Sequence, residues 1–570
     1  MISPTHSWKP GGVTRQAVLL WLAPLAFLSL FFFYPLLTIF RLGLTSLQPG
    51  QLPSLWDQIW SPLEFTLYQA LISTLLTVAV GLPAAYLFAR FRFAGKSLLR
   101  ALTTIPFILP TVVVATAFNA LLGPHGWANL ALMALFHLPA PPINLLNSIW
   151  AILLAHVFYN TTIVIRTVGG AWSRLDPRLE QAAQVLGASP LRTFWHVTLP
   201  LLSPSLLAAS LLVFLFDFTS FGVILLLGGP HFATLEVAIY IQTLQMLNLP
   251  LAGLLSFIQL VCTLGLTAVY SRSITRGIVP LTPHAQSETL RPVRGLATRL
   301  VVGGLITLLV ILLVLPLVGL AFQSVARLEA DRAQLGPVHY GLTLDFYREL
   351  FINRKQSLFY VPPIDAVRNS LVYASATVLI SVSLGLLAAY GLNRPSRLNR
   401  WLDPILMLPL GTSAVTLGLG FLLVFNRPPL DLRASPLLVP LAHSLVALPF
   451  VVRTLQPALG AIPARLREAA AALGASPLRV WREIDLPILS RAVLASATFA
   501  FTISLGEFGA TSFLARPEYP TLPIAIARFL GQPGGLNYGQ ALAMSTLLMI
   551  VCSAGILLIE RLQLPGEGGF

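Results

Sequence analysis

Long apolar runs separated by short polar loops occupy almost the whole chain. A helix needs roughly 20 apolar residues to cross a bilayer, and the pattern predicts twelve spans with polar breaks between them. They lie near residues 17–40, 65–89, 101–122, 145–165, 204–227, 250–270, 300–322, 367–390, 402–425, 436–452, 492–514 and 539–560. The prediction is an all-α polytopic membrane protein with two six-helix transmembrane domains.

Two polar segments between these spans are copies of one sequence. Residues 178–203 and 465–490 lie 287 positions apart and are identical at 15 of 26 aligned positions. In each copy a glycine, Gly187 or Gly474, is placed to end one short helix in the left-handed conformation. The pairs Ser189-Pro190 and Ser476-Pro477 then supply an N-cap and a first-turn proline for the next helix. We call 178–203 and 465–490 the docking loops.

The repeat extends into the flanking spans at the same offset. His156 matches His443, and Phe221-Gly222 matches Phe508-Gly509. With six spans per half, the two halves enter the membrane in the same direction, which is a parallel repeat. The predicted organisation is a first half at 1–270, a cytoplasmic linker at 271–299 and a second half at 300–570.

Composition and charge agree with this class. The chain is 56% apolar and 10% charged, with a mean hydropathy of +0.79, whereas soluble domains average about 25% charged residues. The net charge of +15 is interpreted as a topology signal and not as a nucleic-acid site, because arginine and lysine collect in cytoplasmic loops. In the first half the loops 46–64, 123–144 and 228–249 contain no Lys or Arg, so they are predicted to lie outside, with both termini in the cytoplasm.

Four ionisable residues inside the spans are candidates for the solute pathway, because burying such groups in hydrocarbon is costly. Asp217 and Glu507 lie in corresponding spans, three positions apart in the aligned register, and His156 and His443 form a matched pair. A structural role, capping a broken helix or joining two helices, is the alternative for each. Cys262 and Cys552 lie in apolar spans and are expected to pack without forming a disulfide.

The docking loops resemble the EAA loop of the permease subunits of binding-protein-dependent ABC importers. The motif Ala-Ala, three residues, Gly, then about a dozen residues to Leu-Pro stands at Ala182-Ala183 with Gly187, and again at Ala469-Ala470 with Gly474. The motif glutamate is Glu468 in the second copy, whereas the first copy has Gln181, preceded by Glu180. The resemblance implies a fused pair of permeases in a bacterial plasma (inner) membrane, two ATPase subunits on the cytoplasmic side and an external solute-binding protein. The residues implied in ATPase coupling are Glu180, Gln181, Ala182, Ala183, Gly187, Ser189, Pro190, Glu468, Ala469, Ala470, Gly474, Ser476 and Pro477.

A shorter similarity, at Asp217 to Gly222 and Gly506 to Gly509, is to the ferric-iron and thiamine permeases and implies a cationic nutrient. A sulfate or polyamine-type solute stays open, and a secondary transporter with internal repeats is the alternative from another class. Gly95-Lys96-Ser97 lacks the glycine five positions upstream that a phosphate-binding loop requires. The chain is therefore expected to carry no ATPase. The sequence also shows no Cys/His metal-ligand spacing and no arrangement typical of a catalytic nucleophile, so no other catalytic site, no cofactor and no metal site is expected.

Overall fold

The apolar runs form helices that make up nearly all the regular structure in the described part of the chain. The structure, a computed structural model, describes residues 15–45, 52–229, 231–276, 290–327, 341–352, 361–394, 396–426, 428 and 431–562. In the first half, helices α1 to α13 are Arg15–Leu28, Tyr34–Thr45, Leu52–Arg90, Lys96–Ile108, Thr111–Leu122, Trp127–Phe136, Ile149–Arg174, Pro177–Val185, Pro190–Thr193, Leu199–Phe218, Gly222–Leu227, Leu235–Tyr240 and Leu249–Arg276.

The second half repeats most of this order, but among the described residues it has no counterpart of α6 and adds the short helix Asp345–Glu349. Helices α14 to α26 are Leu296–Leu309, Leu315–Gln323, Asp345–Glu349, Pro363–Leu392, Asn399–Met407, Ala414–Val424, Leu438–Gly460, Ala464–Ala472, Pro477–Val480, Leu486–Gly506, Thr511–Leu514, Leu522–Leu530 and Gly535–Leu562. The described residues also contain two pairs of two-residue strands. β1 (Phe91–Arg92) is parallel to β2 (Arg291–Pro292), and β3 (Ala326–Arg327) is antiparallel to β4 (Gly341–Leu342).

Ten helices of the described chain are long and apolar enough to cross a membrane, or up to twelve when each of two bent pairs counts as one span. The predicted all-α polytopic membrane protein is therefore confirmed. The bends correct two predicted spans. The run at 101–122 is broken into Lys96–Ile108 and a following helix pair that bends away by 112°, and the run at 402–425 is broken by a bend of 95°. Leu109 is extended because a proline follows it, and Ser413 is extended because it caps the next helix.

Two further predicted spans end earlier than their apolar runs. The runs at 204–227 and 492–514 predicted single helices, but the helices end at Phe218 and Gly506, and short helices begin at Gly222 and Thr511. Both breaks fall beside the matched Phe-Gly pairs, so the repeated sequence gives a repeated interruption. Glu507 therefore lies just after a helix end, not inside a continuous span.

The three helices that position the candidate sites pack closely in each half. Gly81 on α3 lies so near α7 that an added Cβ atom would be 2.6 Å from Val164 Cβ, and Gly385 on α17 would meet Val451 Cγ1 at 2.5 Å. Only a residue without a side chain permits this approach. Around these contacts α3, α7 and α10 form one buried apolar cluster, and α17, α20 and α23 form its counterpart.

Contacts divide the chain into two compact units. One comprises Met1–Leu42, Lys355–Leu522 and Val551–Phe570, and the other Gly43–Arg354 and Pro523–Ile550. Each unit therefore contains the first span of the other sequence half. In the first unit α1 packs on α17, where Trp21 contacts Gly391. In the second, α15 packs on α5, and Gly319 of α15 also contacts Trp127 at the start of α6.

The predicted linker at 271–299 is described in part. Residues 277–289 lie outside the described residues, as do 1–14 and 563–570, on which the predicted cytoplasmic termini depend. The described end of the linker contains β2 and then Gly295, whose φ of +82° leads into α14 at Leu296. The domain boundaries stay a prediction from the sequence repeat.

Candidate functional site

Both docking loops have the corner that their sequences predict. Gly187 and Gly474 have φ of +88° and +81°. In the first loop the amide of Ala188 donates to the carbonyl of Ala183, and in the second the amide of Ala475 donates to that of Ala470, both at 3.0 Å. This five-residue closure is the Schellman pattern, which satisfies carbonyl groups at a helix end. Ala183 and Ala470 of the EAA-like motif thus take part in the corner.

The helix after each corner begins on a serine. Ser189 Oγ accepts a hydrogen bond from the amide of Arg192, and Ser476 Oγ accepts one from Arg479, each at 3.4 Å, with Pro190 and Pro477 in the first turn. A single π-helical turn then follows in both loops, at Phe194–Thr198 and Trp481–Asp485. The two loops therefore share their backbone conformation as well as their sequence.

Large apolar side chains on the docking loops are exposed on the protein surface. Leu186 and Leu473, one residue before each corner glycine, are 88% and 89% exposed, and the matched Leu191 and Leu478 are exposed too. Gln181 and Glu468, at the glutamate position of the motif, are also exposed. Isolated exposed leucines are common, but matched exposed leucines on two copies of one loop mark a surface suited to a partner.

The predicted residue His156 is the centre of a buried polar site in the first half. Its Nδ1 atom lies 3.0 Å from Ser73 Oγ and 3.5 Å from Asp217 Oδ1, and its Nε2 atom lies 2.9 Å from Ser220 Oγ. Asn160 donates to Asp217 Oδ1 at 2.7 Å, whereas Asp217 Oδ2 has no hydrogen-bond partner among the described residues. Asp217 is 1% exposed, so one carboxylate oxygen is buried without compensation.

His443 is the centre of the equivalent site in the second half. Its Nδ1 atom lies 2.7 Å from Ser504 Oγ, and its Nε2 atom lies 2.8 Å from Thr511 Oγ1 and 3.2 Å from Glu507 Oε2. The carboxylate of Glu507 also accepts from the amides of Ala510 and Thr511, at 2.7 and 2.9 Å, and from the Thr511 hydroxyl. Glu507 therefore caps the short helix α24, and both its oxygens are satisfied.

The two sites exchange a carboxylate and a hydroxyl. Asp217 and Ser220 align with Ser504 and Glu507 at the repeat offset, so the acid faces Nδ1 of the histidine in the first half and Nε2 in the second. A carboxylate accepts hydrogen bonds, whereas a neutral imidazole has one N–H donor and one acceptor nitrogen. The exchange consequently favours opposite tautomers of His156 and His443.

Sequence reasoning named the two carboxylates and the two histidines as separate candidates; it did not pair each carboxylate with its histidine, and it missed most of the other partners. Ser73, Asn160 and Thr511 are ordinary polar residues whose role depends on helices far apart in sequence. Glu236 was also missed as a candidate: it is fully buried and accepts from Gln259 Nε2 at 2.9 Å. Among the residues that the structure describes, no group of three or more His, Cys, Asp or Glu side chains could hold a metal ion.

Two sets of membrane-spanning helices, each with a docking loop whose leucines are exposed on the protein surface, are the features of a membrane transport subunit of the fused permease class. Residues 78–327 and 381–564 match the family described as binding-protein-dependent transport system inner membrane component, and the chain belongs to that family. The resemblance identified from the docking loops is therefore confirmed.

The relatives match this chain along most of its length. The chain is 28% identical over 510 residues to the thiamine transport system permease protein ThiP of Brucella abortus (strain 2308), covering 88% of each chain. It is 25% identical to ThiP of Escherichia coli (strain K12), covering 89% of this chain and 90% of that protein, and 26% identical to ThiP of Salmonella typhimurium (strain LT2), covering 98% and 97%. These names agree with thiamine as one of the two predicted solutes and lend no support to ferric iron.

Proposed function

We propose that this chain forms the pathway through which thiamine is imported, driven by ATP hydrolysed on two partner subunits. The proposal depends above all on one observation: two docking loops share the same glycine corner, serine cap and exposed leucine. A secondary transporter has no need of such loops. The chain itself is a permease and not an enzyme.

The geometry of the loops suits a mechanical role. A short helix fixed by a Schellman corner and a serine cap deforms less under an applied force than a flexible loop does, because its backbone N–H and C=O groups are already hydrogen-bonded. Each loop presents a leucine and a polar side chain at the glutamate position of the motif. Two such surfaces correspond to two ATPase subunits, one for each half.

Thiamine as the solute is supported by the names of three similar full-length proteins. Its thiazolium ring carries a fixed positive charge, so a pathway for it needs negative or polar groups within the membrane. Asp217 and Glu507, with His156 and His443, are the proposed pathway groups. Affinity is assigned mainly to an external binding protein that delivers the solute.

Orientation follows from charge. The docking loops and the basic linker lie in the cytoplasm, both termini lie on the same side, and the membrane is a bacterial inner membrane. The halves 1–270 and 300–570 then provide six spans each in the same direction.

Reconstitution in liposomes tests this function. The chain, an ABC ATPase subunit and a solute-binding protein from the same organism are combined, with radiolabelled thiamine outside and ATP inside. Uptake is expected to need all three proteins and ATP. Uptake that proceeds without ATPase and follows an imposed ion gradient would instead support the secondary transporter.

A further inference from the structure

Glu180 belongs to a docking loop but points away from its exposed surface. It lies in the first turn of α8, and its side chain is 14% exposed, in contrast to Leu186 on the same loop. Its Oε1 atom accepts hydrogen bonds from Arg90 Nη2 at 2.8 Å and from Thr198 Oγ1 at 3.2 Å. One carboxylate thus joins α8, the docking helix of this loop, to the end of α3 and to the π-helical turn that leads into α10.

Arg90 makes this connection strong. It is the last residue of α3, is 1% exposed, and its Nη1 atom also lies 3.5 Å from the carbonyl of Leu175, which follows α7. A buried guanidinium needs an anionic partner, because an unpaired buried charge is strongly destabilising. Glu180 supplies that partner, so the docking helix is held against the ends of two membrane helices.

The linker between the two halves reaches the same carboxylate. Arg291 and Pro292 form β2, which pairs with Phe91 and Arg92 immediately after Arg90. Arg291 Nη2 lies 3.6 Å from Glu180 Oε2. The half-exposed Arg291 contributes little through charge alone, but the strand pairing fixes the linker beside the docking loop.

The second half makes the equivalent connection with its acid at a different aligned position. Arg467 aligns with Glu180, and Asp485 aligns with Thr198. Arg467 Nε donates to Asp485 Oδ1 at 2.7 Å, and the hydroxyl of Tyr390, on the counterpart of α3, donates to Asp485 Oδ2 at 2.9 Å. In both halves, therefore, the docking helix (α8 or α21) is joined to the π-helical turn before the next membrane helix. The acidic residue that makes this contact stands at a different aligned position in each half.

We propose that Glu180 and Asp485 are positioning residues that make each docking loop move as one body with the membrane helices around it, and that Arg291 and Pro292, at the described end of the linker, are part of the first of these bodies. The proposal depends on the proposed function for the force that the loops receive. It adds the route by which that force enters the bundle: through Arg90 to α3 in the first half, and through Tyr390 to α17 in the second. The surface leucines bind the partner, and the buried carboxylates hold the loop.

Spin-label distances test the proposal directly. In a background without the native cysteines, labels are placed at Gln184→Cys with Leu207→Cys, and at the aligned Ala471→Cys with Leu494→Cys, all of them exposed positions outside the leucine surface. Double electron–electron resonance is recorded at rest and with ATP and vanadate in the assembled transporter. The unmodified anchors are expected to keep each distance distribution narrow and unchanged between the two states.

Removing an anchor is expected to release its own loop. Glu180→Gln should shift and broaden the distribution between labels 184 and 207 and leave the second pair unchanged, and Asp485→Asn should do the reverse. Glu483→Gln is the matched control, because Glu483 lies on the second loop with a half-exposed side chain paired to Arg479 on the surface. Exchange of the pair, Arg467→Asp with Asp485→Arg, should restore the narrow distribution.

Distributions that stay narrow in both Glu180→Gln and Asp485→Asn would overturn the proposal, as would a change between rest and ATP–vanadate in the unmodified chain. Thr198→Val removes one hydrogen bond without unpairing Arg90, and should broaden the first distribution even if Glu180→Gln does not fold. The resting distributions need no ATPase. Failure of the ATPase to co-purify would therefore count against the proposed function alone, while the anchors would still be tested.

Discussion

At the residue scale, the most informative feature is a carboxylate that occupies different positions in two copies of one site. Glu507 is fully satisfied by two backbone amides, a hydroxyl and His443, whereas Asp217 has a buried oxygen without a partner in the described chain. Equal burial therefore conceals unequal roles. The two residues should respond differently to the same loss of charge.

Glu507→Gln is expected to destabilise the protein. A glutamine places an NH₂ group where Glu507 now accepts from the amide of Ala510 or Thr511, and leaving such a buried donor unpaired costs about 1–3 kcal/mol. Thermal unfolding in detergent should show a lower Tm. Glu518→Gln, on the surface of the same half, is the control, and an equal Tm for the two variants would contradict the capping role.

Asp217→Asn is expected to leave Tm nearly unchanged. The amide oxygen can still accept from Asn160, and the NH₂ group replaces an oxygen that has no partner. If Asp217 is a pathway group for a cation, the initial rate of thiamine uptake should nevertheless fall, because the negative charge is lost. Unchanged uptake with normal expression would remove Asp217 from the pathway.

The sequence predicted which ionisable residues would matter but not their partners. Asp217, Glu507 and the two histidines stand out because charges are rare in apolar spans. Ser220 and Ser504 do not, since a single serine in an apolar run has no distinguishing pattern. Asp217 aligns with Ser504, and Ser220 aligns with Glu507. That the members of each aligned pair contact the matched histidines becomes apparent only when the repeat offset is combined with the packing of α7 on α10 and of α20 on α23.

At the element scale, the docking corners were predictable because their determinants are local. A glycine followed two residues later by Ser-Pro specifies both the helix end and the next helix start within four positions. The bent third and ninth spans were not predicted, because hydropathy reports only that a segment is apolar and not that its axis changes direction. Likewise, the buried pair Arg90–Glu180 joins residues 90 positions apart.

Substituting the corner glycines is expected to uncouple transport. Gly187→Val with Gly474→Val has open space for the new side chains, since no atom lies within 4 Å of an added Cβ. The cost comes instead from the left-handed backbone, roughly 1–2 kcal/mol per residue and more for a β-branched one. Uptake should fall steeply while membrane insertion is retained, and asparagine at the same positions should restore part of the uptake.

Gly170→Val is the matched control for these corners. Gly170 also has open space around an added Cβ, but it lies inside α7 without a positive φ. Normal uptake in Gly170→Val combined with loss in the corner variants would assign the effect to backbone conformation. Normal uptake in the corner variants would show that the left-handed corner is not required.

At the scale of the whole molecule, topology is the first property to establish. A reporter enzyme that is active only outside the cytoplasm should be active when fused after Pro142 and inactive when fused after Pro190. Pro142 lies in a loop without Lys or Arg, and Pro190 lies in a basic docking loop. The reverse pattern would place the docking loops outside and exclude ATPase binding there.

The repeat itself was evident from the sequence, whereas the grouping of helices into units was not. Matching segments at a constant offset predict two similar halves. They give no information about which half the first span of each packs against, and in the structure α1 belongs to the unit of the second half. Such exchange depends on side-chain contacts like that of Trp21 with Gly391, which no periodicity encodes.

The central claim is that ATPase subunits bind at both docking loops, and site-directed cross-linking from the exposed leucines tests it most directly. The variants Leu186→Cys and Leu473→Cys are each treated with a short bifunctional reagent in membranes that contain the ABC ATPase subunit of the liposome experiment. Leu247→Cys, exposed on a predicted outside loop, serves as control. We expect a permease–ATPase adduct from Leu186→Cys and from Leu473→Cys, and none from Leu247→Cys. Absence of the adduct from both docking loops, with the ATPase present and labelled, would contradict that claim.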